Sequence, residues 1–538
     1  MIFCIIIFII MGKNIEYLTI KEASLWATNY LGKEITASNI SYLIQYGRIH
    51  KIGHNGSTQI LKSELIKYYH SLNQSRKNAW KNKLGQDLNW KLSFDNLKES
   101  DTTKHIHRLH PYKGKFIPQL AEYFLDDHID EFKKEKYFNK NDIILDPFCG
   151  SGTTLAQADE LGMHAIGVDV SYFNSFITNC KINTYDVVSL EKNINIITER
   201  LFENHKFSKD IKFEQVLIEK LKKFNDKYFP APKFKHKIKQ NLIDENKCGR
   251  KKENLFLPVY KDLLMKYKIE LLKQNPKTFM DKWYFKNVTN EINFVFEEIK
   301  KIKNSTNKNI SALILSRTMR SCRATTHSDL ATLTEPVSEI YYCSKHGKIC
   351  KPVFSIMKWW KTYSKDTIKR IKEFEKLKTG TLHYCLPGDA RTIDIISALS
   401  KKQKSFADIL NRQKISGIFS SPPYVGLIDY HEQHAYAYDL LDFERKDELE
   451  IGSLFKGQGR EAQKSYAEGI SDVLNNCKKY LKENYNVFLV ANDKYNLYPE
   501  IAQKAGMKIA NTFKRPVLNR TEKDKGAYSE IIFHLKEK

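Results

Sequence analysis

Short apolar runs, each bounded by turn-forming or charged residues, recur in two separate parts of the chain. In the first part they cover residues 143–145 and 164–168. In the second part the expected strands are residues 382–384, 415–419, 486–490, 507–512 and 530–535, of which 415–419 is the clearest apolar run. Runs of this length predict buried strands, and the helical patterns between them predict alternating strands and helices. The pattern therefore favours an α/β fold with a Rossmann-like, mostly parallel sheet.

The same patterning divides the chain into six segments. Two of them carry the predicted strands, and a long lysine- and aromatic-rich insertion with several helical patterns lies between these two. The segments are an apolar leader (1–15), a small module (16–72), a polar linker (73–90), the first strand-bearing part (91–182), the insertion (183–380) and the second strand-bearing part (381–538).

The first ten residues of the leader are almost wholly apolar. Ten residues are too few to cross a bilayer. No basic region precedes the run and no small-residue cleavage site follows it, which is unlike a signal peptide. Met11 comes directly after the run and begins the polar sequence, so we expect translation to start at Met11. A short membrane-associated tail is the alternative.

Residues 16–72 are predicted to form a small module of helices and a strand. Thr19 followed by Glu22 predicts a helix start, and a second helix is expected from Thr36. A turn and a returning strand follow at residues 54–61, giving a small wing. The pattern resembles the winged helix-turn-helix of excisionase-like proteins, which implies that the second helix docks in a DNA groove. A helical cap that packs on the rest of the protein is the alternative.

The chain of 538 residues carries 88 basic and 63 acidic side chains, a formal net charge of +25. A charge this high favours a polyanionic partner, because neutralised phosphates release counterions. A lysine-rich composition imposed by an AT-biased genome is a competing explanation for part of the charge. The nine cysteines are scattered, unlike a secreted disulfide framework, so a reduced, cytoplasmic setting is expected. We expect no membrane partner.

A glycine-rich turn follows the first predicted strand. Residues 146–154 read Asp-Pro-Phe-Cys-Gly-Ser-Gly-Thr-Thr. Gly150 and Gly152 lack Cβ atoms, so the backbone there can approach a bound nucleoside closely. The second strand ends at Asp169, 23 positions after Asp146, the spacing at which a strand–helix–strand unit places a carboxylate on ribose hydroxyls. The dinucleotide fingerprint Gly-x-Gly-x-x-Gly is absent here, so a different nucleoside cofactor is expected.

A proline-locked loop, Ser421-Pro422-Pro423-Tyr424, follows the strand predicted at residues 415–419. Paired prolines fix φ and hold the Pro422 carbonyl in place. Ser421 and that carbonyl can accept hydrogen bonds from an exocyclic amine of a base and draw its lone pair toward tetrahedral geometry. Tyr424 offers a ring for an extruded base, because a base inside a duplex cannot reach a cofactor. We expect this loop and the glycine-rich turn to share one cleft.

Together the two motifs resemble the amino-group DNA methyltransferases, which move a methyl group from S-adenosyl-L-methionine (AdoMet) onto cytosine N4 or adenine N6. The resemblance covers most of residues 90–538, with the insertion matched least. It implies a mostly parallel, seven-stranded methyltransferase sheet with a final antiparallel hairpin. The motif order matches the family's alpha arrangement, in which 91–182 bind AdoMet, 183–380 recognise the target and 381–538 catalyse transfer.

The resemblance also carries roles to individual residues. Lys115, Phe116 and Pro118 match the segment beside the methionine end of the cofactor, and Asp389 matches the acid that accepts a hydrogen bond from the adenine amine. The expected cofactor-binding residues are Lys115, Phe116, Pro118, Asp146, Pro147, Phe148, Gly150, Ser151, Gly152, Thr153, Asp169 and Asp389. The expected catalytic residues are Ser421, Pro422, Pro423 and Tyr424.

The first residue of the proline-locked loop bears on the target base. Serine, as in Ser421, is usual in the cytosine-N4 enzymes, whereas Asp or Asn is usual in adenine-N6 enzymes. We therefore expect a site-specific cytosine-N4 DNA methyltransferase of a restriction-modification system, acting by base flipping and direct in-line transfer. Cytosine-C5 chemistry would need a Pro-Cys loop, and the sequence has none. The alternatives are an adenine-N6 enzyme, an RNA amino-methyltransferase, and a DNA-binding regulator with an inactive core.

Further basic residues are candidates for DNA contact. Arg317, Arg320 and Arg323 recur at three-residue spacing on a predicted helix, so they share a face that could clasp phosphates. His431, after the proline-locked loop, could contact DNA or the base, with a packed, hydrogen-bonded histidine as the alternative. The expected partners are duplex DNA and a cognate restriction endonuclease, and the sequence carries no signal for the oligomeric state.

No metal is expected, although one weak zinc candidate exists in the insertion. It consists of Cys322, Cys343, His346 and Cys350, because thiolates and imidazole suit zinc. Cys322 stands 21 positions before Cys343 with no close partner of its own. Buried thiols and a surface histidine are therefore the favoured interpretation.

Overall fold

The computed structural model describes residues 16–31, 34–53, 58–206, 208–273, 275–327, 335–518 and 526–538. The apolar leader and the turn expected at residues 54–57 lie outside this range.

The N-terminal module contains the two helices and the returning strand expected from its sequence. Its elements are β1 (Tyr17–Thr19), α1 (Ile20–Leu31), α2 (Ala37–Gln45), β2 (Gln59–Leu61) and α3 (Lys62–Leu84). Thr36 caps α2, since its hydroxyl accepts the Asn39 N–H at 3.3 Å and the Asn39 side chain accepts the Thr36 N–H at 2.8 Å. β1 and β2 pair antiparallel. The likeness to a winged helix-turn-helix stays a prediction.

The segment expected to be a linker, residues 73–90, is largely helical. No glycine or proline interrupts α3 before Gly85, and its lysine, leucine and alanine residues favour a helix. At the end of α3 the buried Trp80 packs edge-on against Trp90, with ring centroids 6.2 Å apart. Polar composition alone suggested a linker, but an unbroken helical sequence with an anchoring tryptophan extends the helix.

The rest of the chain alternates between sheet-bearing and helical parts. The first sheet-bearing part contains α4 (Glu99–Thr102), α5 (Pro118–Leu125), β3 (Ile143–Asp146), α6 (Thr153–Glu160), β4 (His164–Asp169) and α7 (Tyr172–Ile182). The insertion contains α8 (Val187–His205), α9 (Lys209–Tyr228), α10 (Lys233–Lys239), α11 (Glu245–Tyr267), α12 (Phe279–Trp283), α13 (Lys286–Lys300), α14 (Ser305–Cys322), β5 (Tyr341–Cys343), β6 (Lys348–Cys350) and α15 (Met357–Glu375).

The last part completes the sheet. It contains β7 (His383–Pro387), α16 (Ile395–Ser400), α17 (Lys404–Arg412), β8 (Ile415–Ser420), α18 (Tyr430–Gln433), α19 (Ala435–Leu441), α20 (Arg460–Lys478), β9 (Leu481–Ala491), α21 (Tyr498–Lys504), β10 (Met507–Pro516) and β11 (Ser529–Glu537). Short 3₁₀ helices lie at Lys91–Ser93, His105–Arg108, Asp447–Leu449 and Leu454–Lys456.

Within the described residues the large sheet has seven strands in the order β10-β11-β9-β8-β3-β4-β7. The strands from β9 to β7 pair in parallel, and β11 runs antiparallel to both of its neighbours. The predicted mixed α/β architecture with a parallel-rich sheet is confirmed. Each predicted strand of the sheet forms. The central strands β3, β4 and β8 are almost fully buried, whereas residues 508–512 of the edge strand β10 are mostly exposed.

The position of β3 beside β8 sets the geometry of the site. Leu145 of β3 is paired with Ile418 of β8. β4 and β7 continue the sheet on one side of this pair, and β9 continues it on the other. Strand order therefore reverses between β3 and β8, and a crevice forms at the carboxyl ends of strands at such a switch point.

Separate apolar cores support the sheet and the insertion. Leu145, Ile166 and Ile418 pack on one face of the sheet, and Phe419 and Phe488 pack on the other. The insertion helices form their own core, which extends to α7 and α19. Within the described residues, no helix combines the length and apolar character needed to cross a membrane.

Candidate active site

The glycine-rich turn and the proline-locked loop open onto one pocket of about 790 Å³, counting its open mouth. Gly150 and Asp169 line it from the first sheet-bearing part, and Ser421 and Pro423 line it from the second. The two loops meet because β3 and β8, which carry them, are neighbours. The structure thus brings together the two motifs that the sequence predicts to share a cleft.

The glycine-rich turn places backbone where a side chain would not fit. Gly150 has φ +51°, and a Cβ atom there would lie 2.9 Å from the Tyr112 hydroxyl. Gly152 has φ +74°, and its Cβ would lie 2.6 Å from the Thr178 side chain. Both conformations favour glycine. Pro147, Phe148, Ser151 and Thr153 also line the pocket, whereas Gly152 caps α6 and is not among the described lining residues.

Asp169, at the end of β4, is a buried acid in the pocket wall. Its carboxylate accepts N–H hydrogen bonds from Gly150 at 2.7 Å and Ser171 at 2.9 Å. It also accepts one from the Asn174 amide at 3.0 Å. Burial raises the pKa of Asp169 to about 6, against the opposing effect of these bonds. The acid therefore sits where protonation and ligand binding can be linked.

Asp146, at the end of β3, takes a different position from the one expected. It is 1% exposed and is not among the described residues that line the pocket. Its carboxylate accepts the Ser420 hydroxyl at 2.6 Å and the Phe148 N–H at 3.3 Å. Burial raises the pKa of Asp146 to about 6. Asp146 joins the ends of β3 and β8, so the structure favours a positioning role rather than cofactor contact.

Of the three residues expected near the methionine end of the cofactor, two line the pocket and the third is buried outside it. Lys115 and Phe116 line the pocket. The Lys115 ammonium group donates to the His107 carbonyl, and burial lowers the pKa of Lys115 to about 8. Phe116 packs edge-on against Phe419, with ring centroids 5.4 Å apart. Pro118 begins α5, is buried, and is not among the described lining residues.

Asp389 follows β7 and lines the same pocket as Lys115. Both of its carboxylate oxygens accept from Arg391, at 2.7 to 3.0 Å. This two-point pairing fixes the orientation of the carboxylate. Asp389 is therefore held at the third parallel strand end, where an acid is expected.

The proline-locked loop is tied to two neighbouring strands. The Ser421 hydroxyl donates to the Val490 carbonyl of β9 at 2.9 Å. The Tyr424 hydroxyl donates to the Glu530 carboxylate of β11 at 2.8 Å. Ser421 and Pro423 line the pocket, and Pro422 is buried. Because the Ser421 hydrogen is engaged, its oxygen keeps lone pairs that can accept a hydrogen bond from a ligand.

Several pocket residues carry no recognisable signal in the sequence. Tyr112 and Tyr430 stack at 5.7 Å with an interplanar angle of 20° and form one wall. Asn174 donates to the Tyr112 hydroxyl at 3.2 Å, and Glu450 is a further buried lining residue. The motif at residues 110–118 includes Tyr112, but no local signal indicates that it meets Tyr430, which is over 300 positions away.

The pocket's polar atoms suit a ligand that carries hydroxyl and amine groups. Within the described residues, the Ser151 hydroxyl and the Asn174 amide oxygen are buried without a hydrogen-bond partner, and both residues line the pocket. Buried polar atoms in proteins are normally paired, so an unpaired set in a pocket fits a polar ligand. With the close backbone approach at Gly150, these residues fit a nucleoside cofactor such as AdoMet.

Known proteins resemble this chain over stretches of different length. The family model described as DNA methylase matches residues 10–175. The Type II methyltransferase M.MjaII of Methanocaldococcus jannaschii is 47% identical over 527 residues, which cover 96% of each protein. The chain belongs to the amino-group DNA methyltransferases. Two other Type II methyltransferases match shorter stretches of this methyltransferase.

These two relatives cover a minor part of the methyltransferase. M.MvaI of Kocuria varians is 27% identical over 116 residues, which cover 21% of this chain and 24% of that protein. M.BsoBI of Geobacillus stearothermophilus is 38% identical over 72 residues, which cover 13% of each. The full-length match to M.MjaII is therefore the comparison that establishes the family.

The arginines proposed for DNA contact lie on and just after α14 of the methyltransferase, and two of them are buried. Arg317 donates to Asp366 at 2.7 Å and stacks on a tyrosine ring, with its guanidinium carbon 4.1 Å from the centroid. Arg323 is 5% exposed and donates to the Arg320 carbonyl at 3.0 Å. Three-residue spacing places side chains on one helix face but does not make that face exposed. These contacts argue against phosphate binding by Arg317 and Arg323, while Arg320 is half-buried.

His431 is also an internal residue of the methyltransferase. Its ring is fully buried, its Nδ1 atom contacts the Glu450 carboxylate, and its Nε2 atom accepts the Lys446 N–H at 3.2 Å. Since both ring nitrogens have protein partners, the structure favours the packed, hydrogen-bonded alternative over DNA contact.

The weak zinc candidate changes its membership in the structure. Cys343, His346 and Cys350 lie together, and the fourth group beside them is His327. Cys322 is buried at the end of α14 and does not belong to this cluster. Sequence spacing gave no reason to connect His327 with the hairpin, because residues 328–340 separate them.

Proposed function

We propose that this methyltransferase transfers a methyl group from AdoMet to the exocyclic N4 atom of cytosine in duplex DNA. The observation that carries the proposal is one pocket lined both by the glycine-rich turn and by Ser421 and Pro423 of the proline-locked loop. The names of its relatives describe Type II methyltransferases. This supports a role as the modification enzyme of a restriction-modification system with a cognate endonuclease.

The proposed cofactor contacts follow the order of the strand ends. Asp169 would accept the ribose hydroxyls, and Asp389 would accept the adenine amine. Lys115 and Phe116 would lie beside the methionine end, and the backbone at Gly150 would allow close approach. When bound, AdoMet supplies a methyl group on a positively charged sulfur, which is the electrophile of the reaction.

The loop would prepare the target amine. A cytosine amine is a weak nucleophile because its lone pair is conjugated with the ring. The Ser421 oxygen, whose own hydrogen is held by Val490, and the Pro422 carbonyl would accept the two amine hydrogens. These fixed acceptors favour tetrahedral nitrogen without reorganisation during the reaction. Tyr424 would stack on the flipped base, and proximity to the methyl group would supply most of the acceleration.

The test is chemical identification of the modified base. The purified protein would methylate duplex DNA with isotopically labelled AdoMet, and digestion to nucleosides followed by mass spectrometry would identify the product. We expect N4-methylcytosine. If the product is N6-methyladenine, the reaction type stands but cytosine is the wrong target base. If RNA instead of duplex DNA takes up the methyl group, the proposed substrate class is wrong.

A matched pair of variants separates transfer from binding. Ser421→Ala should retain AdoMet binding and lose most of the transfer rate, by about 10- to 100-fold if one acceptor contributes about 1.5–3 kcal/mol to the transition state. Ser405→Ala, an exposed change on α17, should match the unaltered protein. A protein that binds DNA but does not bind AdoMet would instead indicate a regulator with an inactive core.

A further inference from the structure

We propose that the insertion holds a structural zinc ion bound by His327, Cys343, His346 and Cys350. One potential ligand atom from each of these residues lies within 4.8 Å of all the others. Two thiolates and two neutral imidazoles form a Cys₂His₂ donor set, which suits zinc and balances its charge.

The measured spacings fit ligands around one ion. Nδ1 of His346 lies 3.4 Å from Sγ of Cys343 and 3.5 Å from Sγ of Cys350. Zn–S bonds of about 2.3 Å and Zn–N bonds of about 2.0–2.1 Å in a tetrahedral site put sulfur and nitrogen roughly 3.6 Å apart. A hydrogen-bonded thiol cluster has similar spacing, so the experiment must distinguish the two.

Three of the ligands come from one small hairpin. Cys343 ends β5, Cys350 ends β6, and His346 lies in the turn, where its N–H donates to the Cys343 carbonyl at 3.1 Å. Gly347 has φ +62° and completes this turn. The two strands have three residues each and pair with each other. A two-stranded hairpin of this size is only marginally stable alone, so a bound metal ion would stabilise it.

The fourth ligand reaches the hairpin from the segment after α14. The His327 ring packs edge-on against His346, with centroids 4.5 Å apart. Its Nδ1 atom lies 2.8 Å from the Tyr341 hydroxyl. This contact orients the imidazole and leaves Nε2 for the ion, the usual arrangement in which a second partner fixes a metal-bound histidine. Tyr341 is therefore a positioning residue.

The ion would connect two parts of the insertion. The hairpin is docked on α11, since the Tyr342 backbone N–H donates to the Glu253 carboxylate at 2.7 Å and the Tyr342 hydroxyl donates to Glu245 at 2.9 Å. His327 belongs to the segment that continues α14. None of the four ligands is among the described pocket residues. The site is thus structural and separate from the transfer chemistry.

The primary test is the metal content of the full chain. Protein produced with zinc in the medium and purified without a histidine tag or chelator would be measured by inductively coupled plasma mass spectrometry. We expect about one zinc ion per chain. Replacement by cobalt should give the visible absorption of a tetrahedral, thiolate-bound ion. Zinc-free protein with a Cys343–Cys350 disulfide, or without bound metal at all, would overturn the proposal.

Variants then assign the ligands. Cys350→Ala should lose the bound zinc, and chelation should lower the melting temperature of the unaltered protein but not of this variant. Cys322→Ala is the matched control, because Cys322 is a buried cysteine of the same region outside the cluster. It should retain zinc. Equal zinc loss in the two variants would contradict the assigned ligand set, and the direct metal measurement stands even if Cys350→Ala folds poorly.

Discussion

The ionisation of the buried Asp169 carboxylate should control the proposed binding of AdoMet. Burial raises the pKa of Asp169 to about 6, and the ionised form is the one that can accept ribose hydroxyls. AdoMet affinity should therefore be full above this pKa and fall as the pH drops through about 6, by about tenfold at pH 5. Isothermal titration calorimetry at several pH values measures the effect.

A neutral variant tests whether Asp169 causes that pH dependence. Asp169→Asn should bind AdoMet about 10- to 100-fold more weakly at pH 7.5, because the variant loses a charge-assisted hydrogen bond to the ligand. Its affinity should be nearly flat between pH 5 and 7.5, while its DNA affinity should stay near normal. Because Asp146 has a similarly raised pKa, a pH dependence that persists in Asp169→Asn would assign the effect to another group.

Tyr424 allows its ring and its hydroxyl to be tested separately. Tyr424→Ala removes the proposed stacking surface and should slow transfer about 10- to 100-fold, since stacking on one base is worth about 1–3 kcal/mol. Tyr424→Phe keeps the ring and removes the hydroxyl together with its bond to Glu530, so it should keep most of the rate. Single-turnover methylation and AdoMet titration measure both. Equal losses in the two variants would assign the effect to the hydroxyl.

Single residues also mark the limit of prediction from sequence. The positions of Asp169 and Ser421 at strand ends follow from the motifs themselves. Asp146 ends a strand too, but its carboxylate accepts the Ser420 hydroxyl and is not among the described pocket residues. Arg317 is buried and pairs with Asp366, 49 positions away, and such a distant partner leaves no periodic signal. For the same reason the zinc cluster was predicted with Cys322 instead of His327.

Elements were far more predictable than side-chain partners. The central strands β3, β4 and β8 correspond to the clearest apolar runs, because a strand buried on both faces must be apolar throughout. The edge strand β10 is mostly exposed over residues 508–512 and carries a mixed sequence there. The adjacency of β3 and β8 followed from the alternation of strands and helices and from the shared chemistry of their loops. The polar composition of residues 73–90 predicts a linker, whereas residues 73–84 belong to α3.

Gly417 tests the pairing of β8 with β9, on which the loop position depends. A Cβ atom at Gly417 would lie 2.0 Å from the Asn486 carbonyl and 2.8 Å from the Phe138 ring. Gly417→Ala must therefore push the strands apart and should lower the free energy of unfolding by about 2–4 kcal/mol. Gly459→Ala is the matched control, since nothing lies within 4 Å of its added Cβ. Thermal and denaturant unfolding would compare them, and equal stability of the two variants would contradict the close approach.

At the scale of the whole molecule, the N-terminal module contacts the insertion while one face of α2 stays exposed. Lys239 of α10 donates to the Arg48 carbonyl at 3.0 Å, and His236 contacts the Ile44 carbonyl at 3.3 Å. Leu43 and Ile44 are buried in the module. The opposite face of α2, including Ser41 and Gln45, is exposed. This is the face that a groove-binding helix would present to DNA.

Adding negative charge to that face distinguishes a DNA-docking module from a helical cap. The double variant Ser41→Glu/Gln45→Glu should weaken duplex binding about 3- to 10-fold near 0.1 M salt, with a smaller difference at higher salt, because phosphates repel the new carboxylates. AdoMet affinity should not change. Ser405→Glu/Asn411→Glu adds the same charge to exposed positions of α17 and is the control. Fluorescence anisotropy with a labelled duplex would compare the two. If both double variants weaken binding equally, net charge alone explains the loss, and the module is better interpreted as a cap on the insertion.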